Sequence, residues 1–212
     1  MTPAPNRAAR VLMIEDHFLG RLALRSVLDG RSEVTIAAEA ETGERALEIY
    51  DEVKPDVTLM DLRLPGMSGF DAIAAIRKRQ RDARIVVLSN YEGSEDVFQA
   101  LRLGAMGYLT KDASGEQVLD AILTAHRGLR YLPRGVRDRL AERVPGAEIT
   151  PREHQVLTLI AQGCSNRNVA ERLNIAEKTV RIHVSSLLDK LDARDRTQAA
   201  IYAIQRGIVH LP

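Results

Sequence analysis

Five short apolar runs, each followed by an amphipathic stretch, fill the first 127 residues and constrain the fold most strongly. The runs predict β-strands, and the stretches predict α-helices with one apolar face. Residues 85–88 (IVVL) are continuously apolar, which is typical of strands buried on both faces of a parallel sheet. We therefore expect an α/β fold in which a strand and a helix alternate five times, with right-handed crossovers. The expected strands lie at about 11–16, 34–39, 56–61, 84–89 and 107–110, and the expected helices at about 17–29, 43–53, 68–80, 94–103 and 115–127.

The rest of the chain carries only helical patterns. An Arg-rich segment punctuated by Gly and Pro, residues 128–148, predicts a linker that holds one short helix. Beyond it, Thr150 followed by Pro151 and Glu153 is typical of a helix start. We expect an all-α domain of four helices there, with Ser165 as the cap of the second helix. The later three helices are expected at about 166–173, 177–191 and 197–206.

Length and charge suit two domains of different character. A chain of 212 residues with 45% apolar content can fill two cores. Residues 1–126 carry 15 Lys and Arg against 20 Asp and Glu, whereas residues 127–212 carry 15 against 9. An acidic first part suits a cation site, and a basic second part suits contact with nucleic acid. The predicted organisation is a domain at 8–127, a linker at 128–148 and a second domain at 149–212.

The sequence argues against membranes and disulfides. No apolar stretch approaches the roughly 20 residues of a membrane span, and the amino terminus lacks the apolar segment of a signal peptide. We expect a cytoplasmic protein. Cys164 is the only cysteine, which excludes an intrachain disulfide, and we interpret it as a small core residue rather than a catalytic thiol.

Chemically active side chains stand at the predicted strand ends. Asp61 closes the third apolar run, and Glu15 and Asp16 close the first. Ser89 and Lys111 stand at the ends of the fourth and fifth runs. The carboxyl ends of parallel strands share one edge of a sheet, where open α/β sheets bind ligands. Acids alone could simply cap the following helices, but the set at four strand ends favours a binding or reaction site.

The third helix of the second domain has two different faces. One face is apolar and must be core, because its members follow helical spacing: Val180, Val184, Leu187, Leu188 and Leu191. Lys178, Arg181 and Ile182 point elsewhere, together with Ser185, and give a basic and hydroxylic surface near the amino end. Recognition helices present their amino-terminal half to the major groove of DNA in this way. A solvated amphipathic helix would explain the apolar stripe equally well.

These residues together resemble a known family, the response regulators of two-component systems. Glu15, Asp16, Asp61, Ser89 and Lys111 stand where receiver domains, which have a five-stranded parallel flavodoxin-like (βα)5 fold, carry their site. The segment EKTVRIHV, at 177–184, is similar to part of a LuxR-type helix-turn-helix. The whole resembles a NarL/FixJ-type response regulator over roughly residues 8–212.

The resemblance implies a phosphoacceptor site that works with Mg²⁺. Asp61 would be the nucleophile that accepts a phosphoryl group from a sensor histidine kinase, without turnover of a substrate. Asp16 and Asp61 would bind the metal directly, Glu15 would hold a metal-bound water, and the backbone carbonyl of Arg63 would complete the protein ligands. Lys111 would neutralise the transferred oxygens.

The resemblance also implies a switch and an output. Ser89 would donate its hydroxyl to a phosphoryl oxygen, and Tyr108 would follow it inward; the alternative is a half-buried strand tyrosine with no switching role. The output would be binding to double-stranded DNA. A homodimer would form on activation through the exposed final helix, where Ala200, Ile201, Ala203 and Ile204 exceed what one small bundle must bury. The residues expected to contact DNA are Ser165, Lys178, Thr179, Arg181, Ile182 and Ser185.

Two positions depart from the family pattern. Asn90 stands where many relatives carry a small residue beside the phosphoryl site, which would alter access or lifetime. Ser185 stands where some relatives present a lysine to DNA, so base contact would rest on Lys178, Arg181 and Ile182.

Three other functions remain as alternatives. A DNA-binding regulator could retain the acids without using phosphorylation. A phosphatase with an aspartate nucleophile and Mg²⁺ needs a second Asp two residues later, and Arg63 stands there. A flavin-binding module needs a loop of hydroxyl and glycine residues after the first strand, where this chain has Asp16, His17 and Phe18.

Overall fold

The computed structural model describes residues 7–90, 93–141 and 149–210, so residues 142–148 of the predicted linker lie outside the described residues. The chain forms two compact units. Of the described residues, 7–90 and 97–138 belong to the first unit, and 93–96, 139–141 and 149–210 to the second. The described strands are β1 (Ala9–Ile14), β2 (Val34–Ala40), β3 (Val57–Met60), β4 (Ile85–Ser89) and β5 (Gly107–Thr110). The described helices are α1 (Phe18–Leu28), α2 (Gly43–Val53), α3 (Gly69–Arg79), α4 (Ser94–Leu103), α5 (Gly115–His126), α6 (Arg134–Ala141), α7 (Pro151–Ala161), α8 (Asn166–Leu173), α9 (Glu177–Leu191) and α10 (Arg196–Gln205).

The strands form one parallel sheet in the order β2-β1-β3-β4-β5. The predicted α/β fold with five alternating strands and helices is confirmed. The first strand ends at Ile14 rather than at 16, because Ile14 is the last residue of β1 with partners in both neighbouring strands. Glu15 and Asp16 therefore lie in the loop after β1, at the carboxyl edge.

The edge of the sheet beside β5 is extended by one residue that the sequence did not mark. Tyr131 forms an isolated parallel bridge with Gly107. Its amide donates to the carbonyl of Met106 at 2.9 Å, and its carbonyl accepts from the amide of Tyr108 at 3.3 Å. The start of the segment predicted as a linker thus pairs with the sheet.

Both faces of the sheet are covered. Helices α1 and α5 pack against each other, and their apolar side chains share a core with alternate residues of the strands, among them Val11, Met13 and Leu59. Leu12 and Ile14, which alternate with them, are buried as well. This burial on both faces explains the continuous apolar runs of the strands.

The second unit has its own core, formed by residues of all four helices α7, α8, α9 and α10. Thr150 and Glu153 form the predicted capping box, with Pro151 in the first turn of α7. Ser165 caps α8 as predicted, and its hydroxyl oxygen accepts from the amide of Asn168. Cys164 is a buried free thiol within this core, which confirms its interpretation as a core residue.

No described helix combines the length and the apolar character that crossing a bilayer requires.

Candidate functional site

The carboxyl edge of the sheet brings Glu15, Asp61 and Lys111 into direct contact. Glu15 and Asp61 are buried, and each directly follows the last residue of its strand. The Lys111 ammonium lies 2.7 Å from Oδ2 of Asp61 and 2.6 Å from Oε2 of Glu15. Strand pairing sets this geometry, because the Asp61 amide donates to the carbonyl of Ile14 at 2.9 Å and the Lys111 amide to that of Ser89 at 3.1 Å.

The two carboxylates control the charge state of the lysine. Burial acts to lower the pKa of Lys111, but hydrogen bonds from its ammonium to Asp61 and Glu15, together with their negative charges, outweigh burial and raise the pKa. Lys111 is therefore a cation at neutral pH. It compensates two acids that would otherwise repel each other.

Asp16 lies beside this cluster. Its carboxylate forms a group with Glu15 and His17 in which the potential ligand atoms lie within 4.8 Å of one another. Asp61 is connected to that group through Lys111 and Glu15. This edge of the sheet therefore holds three acidic side chains and one ammonium, and this excess of acids suits a divalent cation.

An arginine that sequence reasoning missed supports the acidic loop. The guanidinium of Arg21 donates to the carbonyl oxygens of Glu15 and Asp16 at 2.9 and 2.8 Å, and it pairs with Glu41 at 2.6 Å. Only its place in the first turns of α1 could have indicated this role. A second constraint comes from Gly20, where a Cβ would lie 2.8 Å from the Glu15 carboxyl carbon.

The loop after β3 holds Asp61 in one orientation. Oδ1 of Asp61 accepts from the amide of Arg63 at 3.1 Å, while Oδ2 faces Lys111. Gly69 lies so close to the backbone of Asp61 that a Cβ atom on Gly69 would collide with the carbonyl oxygen of Asp61. Oε1 of Glu44 accepts from the amide of Met67 at 2.8 Å and ties the same loop to α2.

Ser89 and Tyr108 lie on the neighbouring strands β4 and β5. Ser89 is fully buried at the carboxyl end of β4, where it pairs with Thr110. Tyr108 is fully buried in β5 opposite Val87. The alternative expectation of a half-buried tyrosine is therefore wrong in its burial, because Tyr108 occupies an interior position. Asn90, just beyond β4, is exposed.

The helix α9 of the second unit presents the polar face that the sequence predicted. Val180, Leu187 and Leu191 are buried, and Val184 and Leu188 pack against the same core, so the predicted core face is confirmed. Ile182 is 61% exposed, an unusual position for a large apolar side chain. The other four members of the predicted contact set on α9 are exposed Lys178, Arg181 and Ser185 and half-buried Thr179, and the sixth member, Ser165 before α8, is exposed.

Arg181 is held by an acid on its own helix. Its guanidinium lies 2.7 Å from Oε1 of Glu177, one turn earlier, and both side chains are largely exposed. Such an exposed pair stabilises little, so exchange of Glu177 for a phosphate or a base edge would cost little. The basic group is thus available to an anionic partner.

Comparison with known proteins accounts for both units. The family described as response regulator receiver domain matches residues 11–123, and the family described as bacterial regulatory proteins, luxR family, matches residues 147–203. These two matches define the class of the protein. It is a signal-responsive regulator of transcription, in which an α/β unit with an acidic site precedes a helix-turn-helix unit.

Relatives of known role share this two-part organisation. The transcriptional regulatory protein LiaR of Bacillus subtilis is 35% identical over 95% of this chain and 99% of its own. The nitrate/nitrite response regulator NarL of Escherichia coli K12 is 35% identical over 94% of this chain and 97% of its own. The crystal structure of the response regulator ChrA, from a heme-sensing two-component system, has a TM-score of 0.56 and 33% identity over 95% of this chain and 98% of that chain. The chain belongs to the LuxR-type response regulators, which are transcriptional regulators of two-component systems.

Proposed function

We propose that this regulator is switched by transfer of a phosphoryl group from a sensor histidine kinase to Asp61. One observation carries the proposal: a single ammonium, that of Lys111, joins two buried carboxylates, Asp61 and Glu15, at the carboxyl edge of the sheet. Residues 8–127 would form the receiver domain, and residues 149–212 the DNA-binding domain, joined by 128–148.

In the proposed transfer, the carboxylate of Asp61 is the nucleophile. A carboxylate oxygen attacks the phosphorus, the bond between phosphorus and the donor nitrogen breaks, and its electron pair returns to the imidazole of the kinase. The product is an acyl phosphate on Asp61. Lys111 then compensates the negative phosphoryl oxygens, and the hydroxyl of Ser89 donates to one of them.

The donor set around Asp61 fits Mg²⁺. This cation prefers oxygen ligands, keeps several waters and takes one or two carboxylates in addition to phosphate oxygens. Asp16 and Asp61 would bind it directly, Glu15 through a water, and Arg63 through its carbonyl. When bound, it would supply positive charge to the oxygens of the transferred group.

The residue two positions after Asp61 argues that the protein accepts a phosphoryl group and does not turn over a substrate. An aspartate phosphatase needs a second acid two residues after its nucleophile to activate water. Arg63 stands at that position, and its amide donates to Asp61. The acyl phosphate would therefore persist as a signal.

The surface beside the site supports a protein as donor. Phe18, Leu19 and Leu22, in the first turns of α1, are 68%, 70% and 51% exposed. Clustered exposed apolar side chains mark interaction surfaces, and this cluster begins two residues after Asp16. A histidine kinase whose phosphohistidine reaches Asp61 would cover this apolar cluster.

The proposed output is DNA binding by a homodimer. Lys178, Arg181, Ile182 and Ser185 of α9 would enter the major groove, while Ser165 and Thr179 would contact phosphates. Ile201 and Ile204 of α10 are 47% and 41% exposed and would form the dimer contact. The expectation that Ala203 lies on the same surface is wrong, because Ala203 is buried in the core of the second unit. Inward contact of Ser89 with the phosphoryl group, followed by Tyr108, would transmit the signal.

Beryllofluoride, which mimics a phosphoryl group on aspartate, tests the proposal. With Mg²⁺ it should raise the mass of the full chain in light scattering to that of a dimer and tighten binding to a DNA duplex selected from a random pool. The Asp61→Asn variant should respond in neither assay. A wild type that binds DNA with the same affinity and mass in both conditions would favour the phosphorylation-independent regulator instead.

A further inference from the structure

Glu153 makes contacts that helix capping does not require. The side chain lies in the first turn of α7 and is only 4% exposed. Its Oε2 accepts from the amide and the hydroxyl of Thr150, both at 2.8 Å. The same oxygen accepts from the ammonium of Lys190 at 2.7 Å, and Oε1 accepts from the hydroxyl of Ser186 at 2.7 Å. One carboxylate thus connects the start of α7 to two successive turns of α9.

A second helix of the chain shows what capping alone needs. Ser114 and Gln117 form the same reciprocal capping box at the start of α5. Gln117 is neutral and exposed. A charged and buried acid at the equivalent position of α7 is therefore not needed to start the helix, and the contacts with α9 account for it.

These contacts are directional, unlike the apolar packing between α7 and α9. The apolar core holds α9 through Val180, Leu187 and Leu191, but apolar packing is non-directional and tolerates small rotations of a helix. Hydrogen bonds to charged groups have narrow ranges of distance and angle. Two of them, one turn apart on α9, fix both the rotation of that helix about its axis and its position along it.

The charge on Glu153 is maintained in the folded protein. Burial acts to raise its pKa, but hydrogen bonds from Lys190, Ser186 and Thr150 outweigh burial and lower the pKa to about 2. The carboxylate is ionised at neutral pH and can pair with Lys190 throughout the physiological range.

We propose that Glu153 is a positioning residue for DNA recognition, which sets the orientation of α9 and hence of the side chains that read the DNA. Ser185 neighbours Ser186 in sequence, and Arg181 and Ile182 lie one turn earlier on the same rigid helix. A small rotation of α9 displaces all three from base edges at once. The inference rests on the proposed contact of α9 with DNA.

The test compares specific with non-specific binding in the full chain. Glu153→Gln keeps the size of the side chain and removes the charge that holds Lys190. Affinities are measured for the duplex selected from a random pool and for a scrambled duplex, at a temperature where circular dichroism shows the variant to be fully folded. We expect the ratio of specific to non-specific affinity to fall at least fivefold. In ¹H–¹⁵N NMR spectra, amide signals of residues 178–185 should shift, although the described structure shows no hydrogen bond between any of them and Glu153.

Thr150→Ala is the matched control. It removes the cap of the same helix and lowers stability, but leaves the contacts of Glu153 with Lys190 and Ser186 in place, so the specificity ratio should stay at the wild-type value. If Glu153→Gln does not fold, Lys190→Met provides the test, because Ser186 and Thr150 still satisfy the acid. An unchanged specificity ratio in the folded variant would overturn the positioning role. A wild type that does not bind DNA would instead contradict the proposed function.

Discussion

The ammonium of Lys111 lies between two buried carboxylates, 2.7 Å from Oδ2 of Asp61 and 2.6 Å from Oε2 of Glu15. These acids follow different strands, β1 and β3, and stand 46 positions apart in the chain. Removal of the lysine would leave two like charges facing each other at the edge of the sheet. A bound divalent cation is the natural replacement for the missing charge.

We therefore expect Lys111→Gln to lower the free energy of unfolding by about 1 to 3 kcal/mol in the presence of a chelator. Mg²⁺ should raise the melting temperature of this variant more than that of the wild type, because the metal supplies the lost positive charge. Lys78→Gln, at an exposed position of α3, serves as the control. Equal melting temperatures and equal metal responses in all three proteins would contradict the compensating role of Lys111.

The proposed docking of a kinase on the exposed apolar cluster of α1 can be tested by comparing two donors of the phosphoryl group, a kinase and acetyl phosphate. Leu22→Ser should slow transfer from a phosphorylated partner kinase by about tenfold, as expected for the loss of one buried apolar side chain worth roughly 1.5 kcal/mol. Phosphorylation by acetyl phosphate should proceed at the wild-type rate. Leu129→Ser, which removes an apolar side chain of similar exposure elsewhere, should affect neither reaction. Equal slowing with both donors would place the defect in the acceptor site rather than in docking.

Arg181→Ala should weaken binding to a selected duplex by about 1 to 3 kcal/mol if the guanidinium contacts a guanine edge. Binding to a scrambled duplex should change much less, because no base contact is lost there. Arg45→Ala, which removes an exposed and similarly ion-paired arginine from the first unit, should leave both affinities unchanged. If the Arg181 variant loses affinity equally for both duplexes, the side chain contacts a phosphate instead of a base.

Stability at acid pH should report on Glu153. Its pKa is about 2 in the folded protein against an ordinary value of 4.5, so the carboxylate stabilises the fold fully above pH 4.5. This contribution, about 3 kcal/mol, is lost as the pH falls towards 2. Urea denaturation between pH 6 and pH 2 should therefore show a steeper loss for the wild type than for Glu153→Gln, whereas the exposed-site variant Glu171→Gln should follow the wild type. Parallel curves for the wild type and Glu153→Gln would show that the acid is not held by its donors.

Periodicity was sufficient to predict the sheet and its helices, because strands buried on both faces leave uninterrupted apolar runs such as residues 85–88. The convergence of Glu15, Asp61 and Lys111 also followed from the sequence, since parallel strands bring their carboxyl ends to one edge. The same reasoning could not anticipate Arg21 on the carbonyls of the acidic loop, or Tyr131 beside β5. These contacts depend on the path of a loop and on the direction of a long side chain, which local patterns do not determine.

In the second unit, the contacts of Glu153 could likewise be predicted only in part from the sequence. Its spacing from Thr150 predicted a capping box correctly. The contacts with Ser186 and Lys190, more than 30 positions away, depend on how α7 packs against α9. The sequence therefore predicted that Glu153 caps α7, but it did not predict the contacts of Glu153 with α9.

The most direct measurement of the central proposal is the intact mass of the protein after incubation with acetyl phosphate and Mg²⁺. The wild type should gain one phosphoryl group, and peptide mapping should place it on Asp61. Asp61→Asn should gain none, although its circular dichroism matches that of the wild type, because an amide is neither a nucleophile for phosphorus nor an anionic metal ligand. A full phosphoryl adduct on Asp61→Asn would contradict the assignment of Asp61 as the phosphoacceptor.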